Sequence, residues 1–303
     1  MFVILYTKKP ENKMKSLALI SASLLIVVSL FSCKRNTDTS ETKIIFLHHS
    51  TGLNIWGAEK SFIKSIAFRF NKLYDIVGRK ADLPMMFKDY NEEHQTSYGI
   101  YKKPFPTERP YGWYNFPHNY YEIWVENAGD EPFEKQPTLE MLTKDYDVII
   151  FKHCFPVSNI EADEEVADIT SYHKSIANYK LQYEAIKEKI HEFPDTKFIL
   201  FTGAVQVEAH ITEEEAIRAK EFFQWVREDW NQPGDNIFLW DLYTLETEGG
   251  LYFKDEYAVS PTNSHPNPEF SSRVSKLLFN RIIDVLESDG TGTSLTGEPL
   301  NQI

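Results

Sequence analysis

Two short stretches of this 303-residue chain carry side chains suited to nucleophilic catalysis: His48-His49-Ser50-Thr51-Gly52 near the front and Ser264-His265-Pro266-Asn267 near the end. A serine hydroxyl is a poor nucleophile until a base takes its proton and nearby donors hold the oxyanion that forms. Ser50 and His265 supply that pair. Backbone N–H groups of Thr51 and Gly52 supply donors if Ser50 sits at a strand-to-helix turn, and Asn159 offers a side-chain amide for the same charge. A divalent metal is the competing chemistry, with His48 or His49, His153, His265 and a carboxylate as ligands. No compact ligand-spacing motif supports it, and the serine reading calls for no cofactor. Each residue also has a plain structural use. Ser50 can cap a turn, His265 can pack as a loop residue before Pro266, and His48, His49 and His153 can be pocket walls. Cys154 fits a small buried hydrophobe better than a nucleophile.

An alternation of strands and helices must position these groups. Residues 43–47 form a short apolar run fit for a buried strand, and Phe62, Ile63, Ile66, Phe70, Leu73 and Val77 then recur at helical spacing. Residues 83–87 are expected as a second strand, with Pro84 at its start or on a sheet edge. The runs 148–151, 198–201 and 237–240 read as central parallel strands. Tyr172, Ile176, Tyr179, Tyr183, Ile186 and Ile190 mark one stripe of a long helix ending before Pro194. Thr212 with Glu215 makes a capping box, and Asn267 with Pro268 opens a final helix that runs through Val285. The order predicts an α/β fold: a doubly wound, mainly parallel sheet covered on both faces, with right-handed crossovers. Ligands of such sheets bind outside the carboxyl ends of the strands. Ser50, Lys152-His153-Cys154, Thr202-Gly203 and Asp241 all fall just after an apolar run.

Between residues 98 and 124, ten of twenty-seven residues are aromatic and Pro104, Pro106, Pro110 and Pro117 are interleaved. Neither helix nor ladder strand is expected there, but an ordered surface excursion. Its rings either pack the insertion onto the sheet or, through Tyr111, Trp113 and Tyr114, form a platform for substrate. Residues 288–303 are rich in Gly, Thr and Ser and are expected to be disordered.

Lys13 and Lys15 precede an apolar run, residues 17–31, that stops at Leu30-Phe31-Ser32-Cys33. The run is short for a membrane span, which needs about 20 apolar residues. The tetrapeptide resembles the bacterial lipoprotein cleavage signal. That resemblance implies removal of residues 1–32, a lipid on Cys33, a flexible tether over residues 33–42, and a place in the bacterial cell envelope, anchored to a membrane. Met14 is an alternative start. Residues 1–32 hold four lysines and one glutamate, so the rest keeps 28 basic and 44 acidic side chains, a net charge of −16. Nucleic acid is excluded as a partner, since phosphate backbones demand a basic surface. With Cys33 lipidated, Cys154 has no cysteine to pair with, and one large domain over residues 43–287 must rest on an ordinary core.

Ile44-Ile45-Phe46-Leu47-His48-His49-Ser50 and Ser264-His265-Pro266-Asn267, with the strand order, resemble the SGNH/GDSL hydrolase superfamily. Its members keep a nucleophilic serine after the first strand, an oxyanion asparagine after a middle strand and a base histidine before the last helix. The resemblance implies a flavodoxin-like three-layer α/β/α fold and acyl transfer of the esterase type. It assigns Ser50, Asn159 and His265 those roles. The chain departs from the family at three points. His48-His49-Ser50 replaces Gly-Asp-Ser. Thr262 stands where the family has its acid, and Asn263 is no carboxylate, so the base needs a Ser/His dyad or an acid from elsewhere, Asp255 or Asp241. The Gly-x-Asn-Asp block is not recognisable in residues 152–160. Two functions follow: a lipid-anchored esterase or deacylase acting on a small-molecule or glycan ester, or a glycan-binding lipoprotein on a degenerate hydrolase scaffold.

Overall fold

The computed structural model describes residues 40–57, 82–107, 110–112 and 114–300. The chain divides into two units, Met1–Ser40 and Glu41–Ile303. The apolar run 17–31, Cys33, the helix expected over residues 62–77 and Trp113 lie outside the described residues.

Strand β1, Thr42–His48, is buried from Ile44 onward. It pairs in parallel with β2, Tyr98–Pro104, on one side and with β3, Val148–Phe151, on the other, so Ile45 sits opposite both Tyr101 and Ile149. Two further parallel strands, β4 at Lys197–Phe201 and β5 at Ile237–Trp240, complete the order β2-β1-β3-β4-β5. The chain steps outward from β1 to β2 and then back across β1 to β3. Loops leaving β1 and β3 therefore diverge, and a crevice opens at their carboxyl ends.

Eight helices among the described residues flank this sheet: α1 (Ser50–Trp56), α2 (Asp82–His94), α3 (Pro117–Tyr121), α4 (Leu139–Asp145), α5 (Ile176–His191), α6 (Glu213–Trp225), α7 (Leu242–Thr247) and α8 (Pro268–Ser288). Helices α1, α2 and α8 pack together, as do α3 and α5. Phe46, Phe201 and Trp240 pack in series at 5.2 and 4.4 Å between centroids, with Trp56 of α1 stacked against Phe46. A second aromatic layer joins Phe105, Tyr120, Trp124 and Phe151. The expected caps form: Thr212 and Glu215 bond reciprocally, and Asn267 accepts from the Phe270 N–H at 2.9 Å.

Three expectations are corrected. Residues 83–87 are the start of α2, not a strand. Leu83 and Phe87, four apart, bury one face, and Pro84 falls in the first turn, where its missing N–H costs no intrahelical bond. The edge strand is instead β2, inside the aromatic stretch, half-exposed and ending at Pro104 as an edge permits. Finally, residues 289–300 are not loose. Arg281 donates to the Leu239, Gly290 and Asp284 oxygens, and Asp284 accepts from the Gly292 and Thr293 N–H groups, while Trp240 Nε1 reaches the Thr296 carbonyl at 3.0 Å. A polar tail is thus held by a buried ion pair that composition does not reveal. Helix α5 begins at Ile176, so Tyr172 precedes it and stays exposed. Among the described residues no helix is long and apolar enough to cross a membrane.

Candidate active site

His49 is the N-cap of α1, without a side-chain cap bond, and Ser50 is the first helical residue. The Ser50 hydroxyl is not spent on capping. Its Oγ lies 3.6 Å from the Sγ of Cys154, a buried free thiol just after β3. Residues following β1 and β3 thus meet across the crevice that the strand order creates. His265 lies not in a loop but on β7 (Asn263–Pro266), the return strand of a hairpin with β6 (Ala258–Ser260). This hairpin leans on α1, where Asn54 Nδ2 donates to the Pro266 carbonyl at 3.3 Å. Ser50 and His265 consequently line one cavity of about 510 Å³, walled also by Leu53, Pro104, Thr107 and Gly112.

Asn263 holds the imidazole of His265. Its Oδ1 accepts from the His265 backbone N–H at 3.1 Å, which identifies that atom as the amide oxygen. The same oxygen lies 2.8 Å from His265 Nδ1. An amide oxygen only accepts, so the ring proton resides on Nδ1 and Nε2 carries the lone pair. Phe155 packs edge-on against the ring at 5.3 Å. In the sequence Asn263 carries no charge and does not stand out as a partner of the base. The signal available was its spacing, since residues two apart on a strand share a face.

Other expected partners are placed elsewhere. Asn159 Oδ1 accepts from Gln206 Nε2 at 2.7 Å and its amide nitrogen approaches Glu215 at 3.5 Å, so the side chain is spent away from Ser50. The Gly52 N–H donates to the His49 carbonyl at 2.7 Å. Gly52 is required for another reason: a Cβ there would fall 2.7 Å from His48 Cβ and 3.2 Å from Lys152 Cδ. Thr51 remains as the first-turn backbone donor. Asp241 caps α7 and accepts from Thr202 Oγ1 at 2.6 Å, so it does not orient His265. Asp255 is exposed and lines a different depression, with Glu208 and Tyr252. In the aromatic stretch Tyr111 is 2 % exposed and belongs to the core, whereas Tyr114 is 65 % exposed. Packing therefore accounts for most of these rings.

Burial dominates the electrostatics around the cavity. His48 is pushed down to about 3 by desolvation, then by the charges of Lys102 and Lys152. His49, whose Nε2 donates to the Pro106 carbonyl, is lowered chiefly by burial. His153 is pushed down to about 3 by burial and Lys152; it lies between Tyr120 and Tyr183 and is no wall of the cavity. Lys152 is fully buried and donates to the His153 carbonyl. Among the described residues no three His, Cys, Asp or Glu side chains converge to hold a metal. Neither protein-family models, nor curated proteins, nor solved structures yield a match to this chain.

Proposed function

We propose that this protein is a serine hydrolase of the esterase or deacylase type, an atypical relative of the SGNH/GDSL hydrolases with their flavodoxin-like three-layer fold. The observation that carries the reading is the shared cavity of Ser50 and His265, with Asn263 leaving the lone pair of His265 on Nε2. His265 takes the proton of Ser50 as Oγ attacks the acyl carbon, then returns it to the leaving alcohol, and water releases the acyl-enzyme. Thr51 N–H is the backbone donor to the oxyanion. An asparagine orients the base but adds no charge to stabilise the imidazolium, which makes a slower catalyst than a carboxylate triad. The lipobox resemblance ends at Cys33, so the enzyme works in the bacterial envelope, anchored by lipid, on acyl esters of small molecules or glycans.

The test is a serine-reactive fluorophosphonate applied to the full chain in detergent, with the labelled peptide mapped. Wild type labels at Ser50, Ser50→Ala does not, and His265→Ala labels about 10³-fold more slowly. Folded wild-type protein that takes no label removes the hydrolase reading and leaves a glycan-binding scaffold.

A further inference from the structure

The oxyanion donors that the family resemblance supplies are partly missing here. Asn159 is committed to Gln206 and the Gly52 N–H to His49. A serine nucleophile short of two of these donors loses part of the stabilisation that acyl transfer draws from its oxyanion hole. A side chain of the cavity wall nevertheless carries an unspent, buried donor. His48 is the last residue of β1, 4 % exposed, and neither of its ring nitrogens has a hydrogen-bond partner. Leaving such a group unmade costs about 1–3 kcal/mol per atom, and native proteins keep few of them. Orphaned polar atoms occur at other buried side chains, but among those described His48 alone also lines the cavity of Ser50 and His265.

We propose that His48 donates the hydrogen bond that holds the ester carbonyl oxygen as it becomes an oxyanion. This rests on the serine-hydrolase reading of the same site. As the Ser50 Oγ–carbon bond forms, the carbonyl π pair moves to oxygen, and the serine proton goes to His265 Nε2. His48 N–H and Thr51 N–H bond the new charge, and collapse expels the alcohol, which recovers the proton from His265. Position and protonation both fit. His48 follows Phe46 on the same side of β1, with ring centroids 5.6 Å apart, and the missing side chain of Gly52 leaves it room. Burial, and after it the charges of Lys102, Lys152 and His49, keeps the ring neutral, so it retains one N–H donor.

The experiment compares wild type, His48→Phe and His48→Gln in the full chain, by Ser50 labelling with the fluorophosphonate and by p-nitrophenyl acetate hydrolysis. His48→Phe is expected to lower kcat and the labelling rate about 10²-fold with KM little changed, and His48→Gln, which restores an N–H, to recover at least about tenfold. A structural role would instead lower the folded fraction in a melt, with no recovery by glutamine. Labelling of Ser50 in wild type and His48→Phe at equal rates overturns this inference and leaves the hydrolase reading standing. Absence of labelling in folded wild type overturns both. If His48→Phe does not fold, the His48 ring N–H resonance of the wild type decides. A downfield move on forming the Ser50 phosphonyl adduct supports the bond, and an unmoved resonance overturns it.

Discussion

Two places on the same edge of the sheet use polar side chains in opposite ways. At the ends of β4 and β5, Asp241 accepts from the Thr202 hydroxyl at 2.6 Å, from the Thr244 N–H at 3.3 Å and from the Thr244 hydroxyl, with Arg227 at 3.6 Å. At the ends of β1 and β3, Ser50 has only a 3.6 Å thiol contact, and His48 and the Thr51 hydroxyl have no partner. Equivalent positions in a parallel sheet thus serve either to close the structure or to wait for something outside it. What sets the β1 and β3 end apart is that an orphaned side chain, His48, shares a cavity with Ser50 and His265.

Breaking the closed end gives the largest effect on stability. Asp241→Ala removes the α7 cap, leaves the Thr202 hydroxyl proton without its acceptor and takes the counter-charge from Arg227, with an expected loss of about 3 kcal/mol in urea unfolding. Labelling of Ser50 per folded molecule should not change. If labelling falls while stability holds, the carboxylate serves the base after all, and the contrast between the two ends is reversed.

Much of this division is legible in the sequence, and what is not shares a physical cause. Apolar runs marked β1, β3, β4 and β5 because buried parallel strands leave no alternation to hide them. Edge strand β2 carries polar and proline residues, so Tyr98–Pro104 resembled an irregular loop, and the three-four spacing of Leu83, Met86 and Phe87 was too short a signal against Pro84. Ser50 is legible as a residue type at a strand end and His265 as one ahead of the last helix. Asn263 is not, because its value lies in one oxygen serving both a backbone N–H and a ring nitrogen. Neither is the idleness of His48, since whether a donor is spent depends on long-range neighbours.

A gentler way to sharpen the contrast is pH. His48 and His153 are both held neutral, down to about 3 against an ordinary 6.5. Their folded pKa lies below the unfolded one, so the stability they contribute is full above about 6.5 and drains as pH falls toward 3. Each should cost about 2 kcal/mol between pH 7 and pH 5. His153 lies against the rings of Tyr120 and Tyr183 and has no hydrogen-bond partner on either nitrogen. His153→Phe is therefore expected to keep stability at pH 7 and to remove about 2 kcal/mol of the loss between pH 7 and pH 5 in urea unfolding. An unchanged slope would place the acid sensitivity outside His153.

The smallest effect tests the base itself. Asn263→Ala leaves the His265 ring without its acceptor, and a wrong tautomer or rotamer then competes with the productive one. An approximately tenfold fall in kcat at constant KM is expected, well short of losing the base. Asn263→Asp keeps an oxygen for both the ring and the backbone N–H but adds a negative charge beside the imidazole. That charge favours the protonated ring, so the acid limb of kcat/KM should move about one unit toward higher pH, with the plateau at or above wild type because the imidazolium is better stabilised. A limb that stays in place would mean that the titrating base is not the ring Asn263 holds, and the pairing of Ser50 with His265 would lose its kinetic support even if both side chains proved essential.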